Sequence, residues 1–214
     1  MLLCLGSLSG SDDGGGPGER GETRDAGEAS DVLTLSVLGD SISTFAGLSN
    51  GTAADSTNST IRFNDAYYRQ GAFGLNATDT WWNLTADALG LRLLVNNSWS
   101  GSYIFSPYEP GSSGWGDRCV QLHDDTGENA GQEPDIIAVY LGTNDFLGAP
   151  DDLGRPEDVD HDRLITEEAD GTFSYGEPST TAEACALMFH KLTHRYPHAQ
   201  VYCFTIPPLA DEAL

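Results

Sequence analysis

Val32-Leu33-Thr34-Leu35-Ser36-Val37-Leu38-Gly39-Asp40-Ser41 is the stretch on which the fold turns. From Val32 to Leu38 it is short, apolar and rich in β-branched residues, and Gly39 stops it; such a run predicts a strand buried on both faces of a parallel sheet. The pattern then alternates down the chain. Thr80 to Leu89 carries Trp81, Trp82, Leu84, Ala86 and Leu89 at helical spacing ahead of Gly90, a stop signal. Leu91 to Val95 predicts a second strand, Trp115 to Leu122 a helix, Ile136 to Leu141 a third strand, Thr181 to His194 a helix, and Gln200 to Ile206 a fourth strand. Strands separated by helices predict an α/β protein, a parallel sheet covered on both faces. Residues 46 to 76 and 147 to 178 are long polar insertions, of a length that is usually functional or disordered.

The first 30 residues differ from the rest. Met1 to Leu5 is apolar, and Gly6 to Ser30 is a Gly/Ser/Asp/Glu-rich stretch around Gly14-Gly15-Gly16-Pro17, the composition of a flexible tether. The folded domain is expected over 31 to 214. Met1 to Gly6 lacks the charged region and the length of a secretory signal. It is similar to the tail end of a lipoprotein signal, which would make Cys4 a lipidated membrane tether and place the protein at the cell surface; the competing reading is a frayed terminus with a chance cysteine.

Of 214 residues, 39% are hydrophobic and 9% aromatic, which suits one globular domain. No apolar run approaches the ~20 residues of a membrane-spanning helix. Ten basic residues stand against 33 acidic ones, a net charge of −23, and Lys191 is the only lysine. A nucleic-acid partner is excluded, since its phosphates demand a basic surface. Only Asp12, Asp13, Glu19, Glu22, Asp25 and Glu28 of the acidic residues fall in the first 30, so most of the charge belongs to the domain. A carboxylate surface adapted to high salt is the expectation. Cys4, Cys119, Cys185 and Cys203 form no C-x-x-C pair and stand at no metal-site spacing, so no metal is expected; Cys185 and Cys203 read as buried free thiols.

Ligands of an open parallel sheet bind beyond the carboxyl ends of its strands. Three polar, Gly-containing segments fall there: Gly39-Asp40-Ser41-Ile42-Ser43, Asn96-Asn97-Ser98-Trp99-Ser100-Gly101-Ser102, and Gly142-Thr143-Asn144-Asp145. A serine on a tight turn is a candidate nucleophile, a glycine lets a backbone N–H approach a substrate oxygen, and an asparagine adds a donor; together they suit an oxyanion hole. Asp40 is expected to shape the serine turn and Asp145 to cap the segment after it.

The three segments resemble, in order, blocks of the SGNH (GDSL-type) hydrolases over roughly residues 32 to 208. The resemblance implies a three-layer α/β/α, flavodoxin-like parallel sheet, with Ser41 as nucleophile, Gly101 and Asn144 as oxyanion donors, and no cofactor. It implies a serine ester hydrolase of the esterase or lipase type, acting on a small-molecule, carbohydrate or lipid acyl ester. The family's last block, an Asp-x-x-His carrying the general base, has no counterpart after the fourth strand. The nearest spacing match, Asp158-Val159-Asp160-His161, falls too early, inside an insertion. The expectation is therefore a fragment lacking its last helix and strand, nearly inactive for want of the base. His123 reads as a helix-end residue, His190 and His194 as a pair on a helix surface, and His198 as a turn residue.

A rival reading is a noncatalytic extracellular module, derived from a hydrolase, whose groove holds a glycan. Trp81, Trp82, Trp99, Trp115, Tyr67, Tyr68 and Tyr103 offer stacking surfaces, or ordinary packing. Asp158, Asp160 and Asp162 resemble the start of a calcium loop, but Arg163 and Ala169 stand where the turn glycine and bidentate glutamate belong, which favours a solvated acidic loop. Asn50, Asn58, Asn76, Asn83 and Asn96 open N-x-Ser/Thr sequons that fit an exterior location weakly. The charge generates the first prediction: dilution from about molar salt to tens of millimolar should unfold the domain, and an unchanged circular dichroism spectrum would refute it.

Overall fold

A computed structural model describes residues 32–48, 66–68, 70–71, 74–105, 116, 118–125, 130–148 and 152–204. The tether with Cys4, Trp115, the sequons at Asn50 and Asn58, and the predicted end of the fourth strand at 205–206 lie outside those residues. β1 (Thr34–Gly39) is buried along its whole length. It occupies an inner position because parallel partners flank it: β2 (Arg92–Ser98) on one side and β3 (Ile136–Tyr140) on the other. β6 (Gln200–Cys203) pairs in parallel with β3, giving the order β2-β1-β3-β6.

The alternation of β1 feeds two cores. Leu35 and Val37 face α1 (Trp81–Leu89), packing with Phe45, Trp82, Ala86 and Ala138. Leu38 faces the other way and joins Ile137 and Val139 against Ala184, Met188 and Leu192 of α4 (Thr181–Arg195). The polar Ser36 on that second face is satisfied by donating to Leu122 O at 2.8 Å. Helices on both faces of a parallel sheet make the three-layer α/β/α arrangement. α1 ends where expected, on the left-handed Gly90, and α4 begins with the Thr180 hydroxyl accepting from Glu183 N.

Several expectations change. The second strand runs on to Ser98, so Asn96 and Asn97 are buried strand residues, and Asn96 is not an accessible glycosylation site. The helix expected over 115–122 is, among the described residues, a 3-10 turn at Arg118–Val120. Its backbone is drawn toward the sheet instead, the carbonyls of Arg118 and Gln121 each accepting from Asn97 Nδ2 at 3.1 Å.

The second insertion holds more than loop. α2 (Thr143–Gly148) runs into its start, and it contains a 3-10 turn at Pro156–Asp158, α3 (His161–Leu164), and an antiparallel hairpin of β4 (Ile165–Glu167) and β5 (Phe173–Tyr175). Asp170-Gly171 forms its turn, with Asp170 accepting from the Thr172 N–H and hydroxyl. Phe173 seats the hairpin on α4, edge-on to His190 and His194 with ring centroids 4.6 and 4.8 Å away; His190 is half-buried and His194 exposed, so they form the helix-surface pair expected of them. Asp160 caps α3 by accepting from Arg163 N. Cys119 is buried, and burial pushes the Cys185 thiol up to about 12. Cys203, on the β6 edge, is exposed and not buried as expected.

Trp82 ties these layers to the strand ends: it is fully buried, and its indole N–H donates to Ser43 O at 2.9 Å. Trp82→Ala should lower unfolding free energy by about 3–5 kcal/mol in urea titrations, and a loss under about 1 kcal/mol would mean that α1 is not docked as described.

Candidate active site

At the end of β1 the chain turns sharply. Asp40 caps the 3-10 turn Ser41–Ser43, its Oδ1 accepting from Ile42 N at 3.0 Å, which is the turn-shaping role expected of it. The Ser41 carbonyl accepts from both the amide and the hydroxyl of Thr44. Ser43 fastens the far side: its hydroxyl accepts from Trp81 Nε1 at 3.0 Å, and its carbonyl accepts from Trp82 Nε1 and Asn96 Nδ2, each at 2.9 Å. Ser41 is left half-buried at the strand end.

The second segment folds back over the first. Trp99 N donates to Gly39 O at 3.1 Å, continuing the β1–β2 ladder, and Ser102 N donates to Trp99 O to close a turn. Gly101 sits in that turn at φ 77°, a conformation that glycine adopts without steric cost. The third segment locks onto the second: Asn144 Nδ2 donates to Ser102 O at 2.7 Å. Asp145 does not cap the segment that follows it. Its carboxylate reaches back to accept from Ile104 N and Phe105 N, each at 2.8 Å, with Thr181 Oγ1 at 3.3 Å. Ser41, Gly101 and Asn144 are thus carried by three segments bonded to one another at one edge of the sheet.

The two carboxyls beneath this edge are buried. Burial pushes the Asp40 carboxyl above its ordinary range, against the Ile42 N–H, Thr143 and the positive charge of Arg118. Asp40 Oδ2 and Thr143 Oγ1 are both buried, and although the two groups interact, no hydrogen bond of regular geometry closes on either atom. Burial likewise raises Asp145, opposed by its backbone donors. Tyr68 and Tyr140 are raised, first by burial and further by the Asp40 charge beside them. Tyr140 also stacks with Trp81 and Phe204, at centroid separations of 5.7 and 6.3 Å.

The sequence reading missed Arg118, which is 2% exposed beneath this edge. A single arginine next to Cys119-Val120, in a chain so poor in cations, was the available signal. None of the chain's five histidines hydrogen-bonds the Ser41 turn among the described residues. His161 is exposed on α3. His123 Nε2 pairs with Asp125 and its Nδ1 meets the Tyr196 hydroxyl. His190 and His194 lie under Phe173, and His198 is exposed in the turn before β6. Of the aromatics, Trp82 is core, Trp81 and Trp99 are half-buried, and Tyr67 is exposed.

A sequence model of the GDSL-like lipase/acylhydrolase family matches residues 33–213. The chain belongs to that family. Two crystal structures share its fold. A GDSL-like lipase from Bacteroides ovatus ATCC 8483 is 24% identical, with TM-score 0.54, over 85% of this chain and 76% of that one. A GDSL-like lipase from Bacteroides uniformis ATCC 8492 is 24% identical, with TM-score 0.55, over 86% and 75%. No curated protein matches the sequence. Membership makes this chain a hydrolase-family protein, and its strand-end segments are the ones that the GDSL resemblance marks.

Asp40 gives a pH prediction. A carboxyl raised by folding contributes stability that is full below its unfolded pKa, about 4, and is lost as the pH rises through its folded value. Asp40→Asn keeps an acceptor for Ile42 N and cannot ionise, so it should lose less stability than wild type as the pH rises from about 4 to 7. Identical pH slopes in urea midpoints would show that Asp40 is not raised.

Proposed function

We propose that this is the core of a serine ester hydrolase in which Ser41 attacks an acyl carbonyl. Backbone N–H groups near Ser41 and Gly101, with the Asn144 amide, would hold the resulting oxyanion, and water would release the acid. The observation that supports this best is the 2.7 Å bond from Asn144 Nδ2 to Ser102 O. An amide nitrogen carries two hydrogens, so this bond fixes the Asn144 donor beside Gly101 while a second N–H remains for substrate. No metal or organic cofactor enters the mechanism. The substrate we infer is an acyl ester of a small molecule, carbohydrate or lipid, met at the cell surface, where a lipidated Cys4 would tether the protein.

None of the five histidines hydrogen-bonds the Ser41 turn among the described residues, so we infer that no imidazole of this sequence takes the Ser41 proton. Removing one triad member leaves an oxyanion hole and binding worth about 10³–10⁴ over water. That placement of the histidines also favours the second reading, a glycan-binding module without turnover. One assay separates them. Hydrolysis of p-nitrophenyl acetate should be slow but measurable, about tenfold or more slower in Asn144→Ala, which removes an oxyanion donor, and unchanged in His161→Ala. Equal rates in wild type and Asn144→Ala would overturn the esterase reading and leave the binding module.

A further inference from the structure

Arg118 is a charged side chain in the interior, at 2% exposure, and it hydrogen-bonds groups that set the site. Nη1 donates to Asn97 O at 2.6 Å and to Gly39 O at 3.2 Å, the carbonyls near the ends of two neighbouring strands. One of those strands leads into the Ser41 turn and the other into the Gly101 turn. Nη2 donates to Ser102 Oγ at 3.1 Å. Ser102 follows Gly101 directly, and its carbonyl is the acceptor for Asn144 Nδ2. The guanidinium also lies over the Trp99 ring, 5.7 Å from its centroid.

Burying a guanidinium costs several kcal/mol unless its donors are met, so a site of this kind persists only where the geometry is well made. A planar fork with donors on two nitrogens can hold two strand-end carbonyls and a hydroxyl in fixed relation; a lysine ammonium, a point donor on a flexible stem, cannot. We propose that Arg118 is a positioning residue of the active site, the part that sets the spacing between the Ser41 turn and the Gly101–Asn144 oxyanion donors through Ser102. It touches no substrate and acts through the backbone. The inference deepens the esterase reading, and its geometric half stands without it: Arg118 fixes Gly101 and Asn144 relative to Ser41 whether or not an ester is cleaved.

The test has two arms on the same proteins, Arg118→Lys and Ser102→Ala. The first arm is nuclear magnetic resonance of the Gly101 amide and the Asn144 side-chain amide, with core amides of β1 and β3 as reference. Both variants should shift those two signals and leave the core signals in place. Unshifted Gly101 and Asn144 signals in the folded variants would overturn the proposal. The second arm is p-nitrophenyl acetate hydrolysis, where kcat should fall about 10- to 100-fold with KM within about twofold, the signature of misplaced catalytic groups. A fall in KM and kcat together with lost core signals would mean that Arg118 only supports the fold, and would overturn it as well. Ser102→Ala keeps the test open where Arg118→Lys does not fold, because it removes the Nη2 acceptor and leaves the guanidinium in place. Shifted signals with equal activity in Asn144→Ala and wild type would leave the positioning role standing and remove the esterase reading.

Discussion

Gly39 has no room for a side chain. A Cβ there would stand 2.5 Å from Ser43 and 2.7 Å from Ser98 Oγ. The Ser41–Ser43 turn and the last residue of β2 therefore close directly over the end of β1, and that close approach is what brings the first two segments together. The Gly39 carbonyl then takes the Trp99 N–H, Arg118 Nη1 and, more weakly at 3.4 Å, the Ser102 hydroxyl. One peptide unit is thus shared between the turn that carries Ser41 and the turn that carries Gly101. Any displacement of it moves both, and a larger residue at 39 would force one.

A second constraint sits alongside the first. Asp145 gathers the Ile104 and Phe105 amides and the Thr181 hydroxyl, so it joins the third segment to the chain beyond Gly101 and to the start of α4. With Asp40 and Arg118 it makes two carboxyls and one guanidinium inside a chain of net charge −23. These charges obey different rules from those outside. Surface carboxylates repel through water and are screened within about 8–10 Å at moderate salt, whereas buried groups are screened far less. Ionic strength should therefore act on the domain through its exterior, while pH acts on the strand-end edge through Asp40 and Asp145.

The parts of the fold that were legible in sequence are those whose physics is local. β1 is an apolar, β-branched run, α1 has periodic apolar residues and a glycine stop, and the three strand-end segments carry turn chemistry of their own. What was not legible depends on partners remote in sequence. Asn96 and Asn97 read as loop because they are polar, yet Ser43 O and the Arg118 and Gln121 carbonyls satisfy them inside the strand. Arg118 read as part of a helix because its acceptors, Gly39 and Asn97, lie 79 and 21 residues away. The β4–β5 hairpin had a local signal in Asp170-Gly171, but its strands are three residues each and hold only because Phe173 finds α4. Asp145, expected from its local position to cap the segment after it, is claimed instead by the Ile104 and Phe105 amides.

The residue types at the edge follow from these bonds. An aspartate at 144 would set a carboxylate oxygen against the Ser102 carbonyl, two acceptors with no proton between them, so the position requires an amide. A side chain at 101 would have to adopt φ 77°, which is strained for any residue with a Cβ and most strained for a β-branched one. At 102 a hydroxyl is the side chain that accepts from Arg118 and still leaves the backbone carbonyl to Asn144. Each of these groups is held by protein partners before any ligand arrives. Donors fixed in this way would need no reorganisation if charge developed on a substrate oxygen, which is what the proposed oxyanion hole requires.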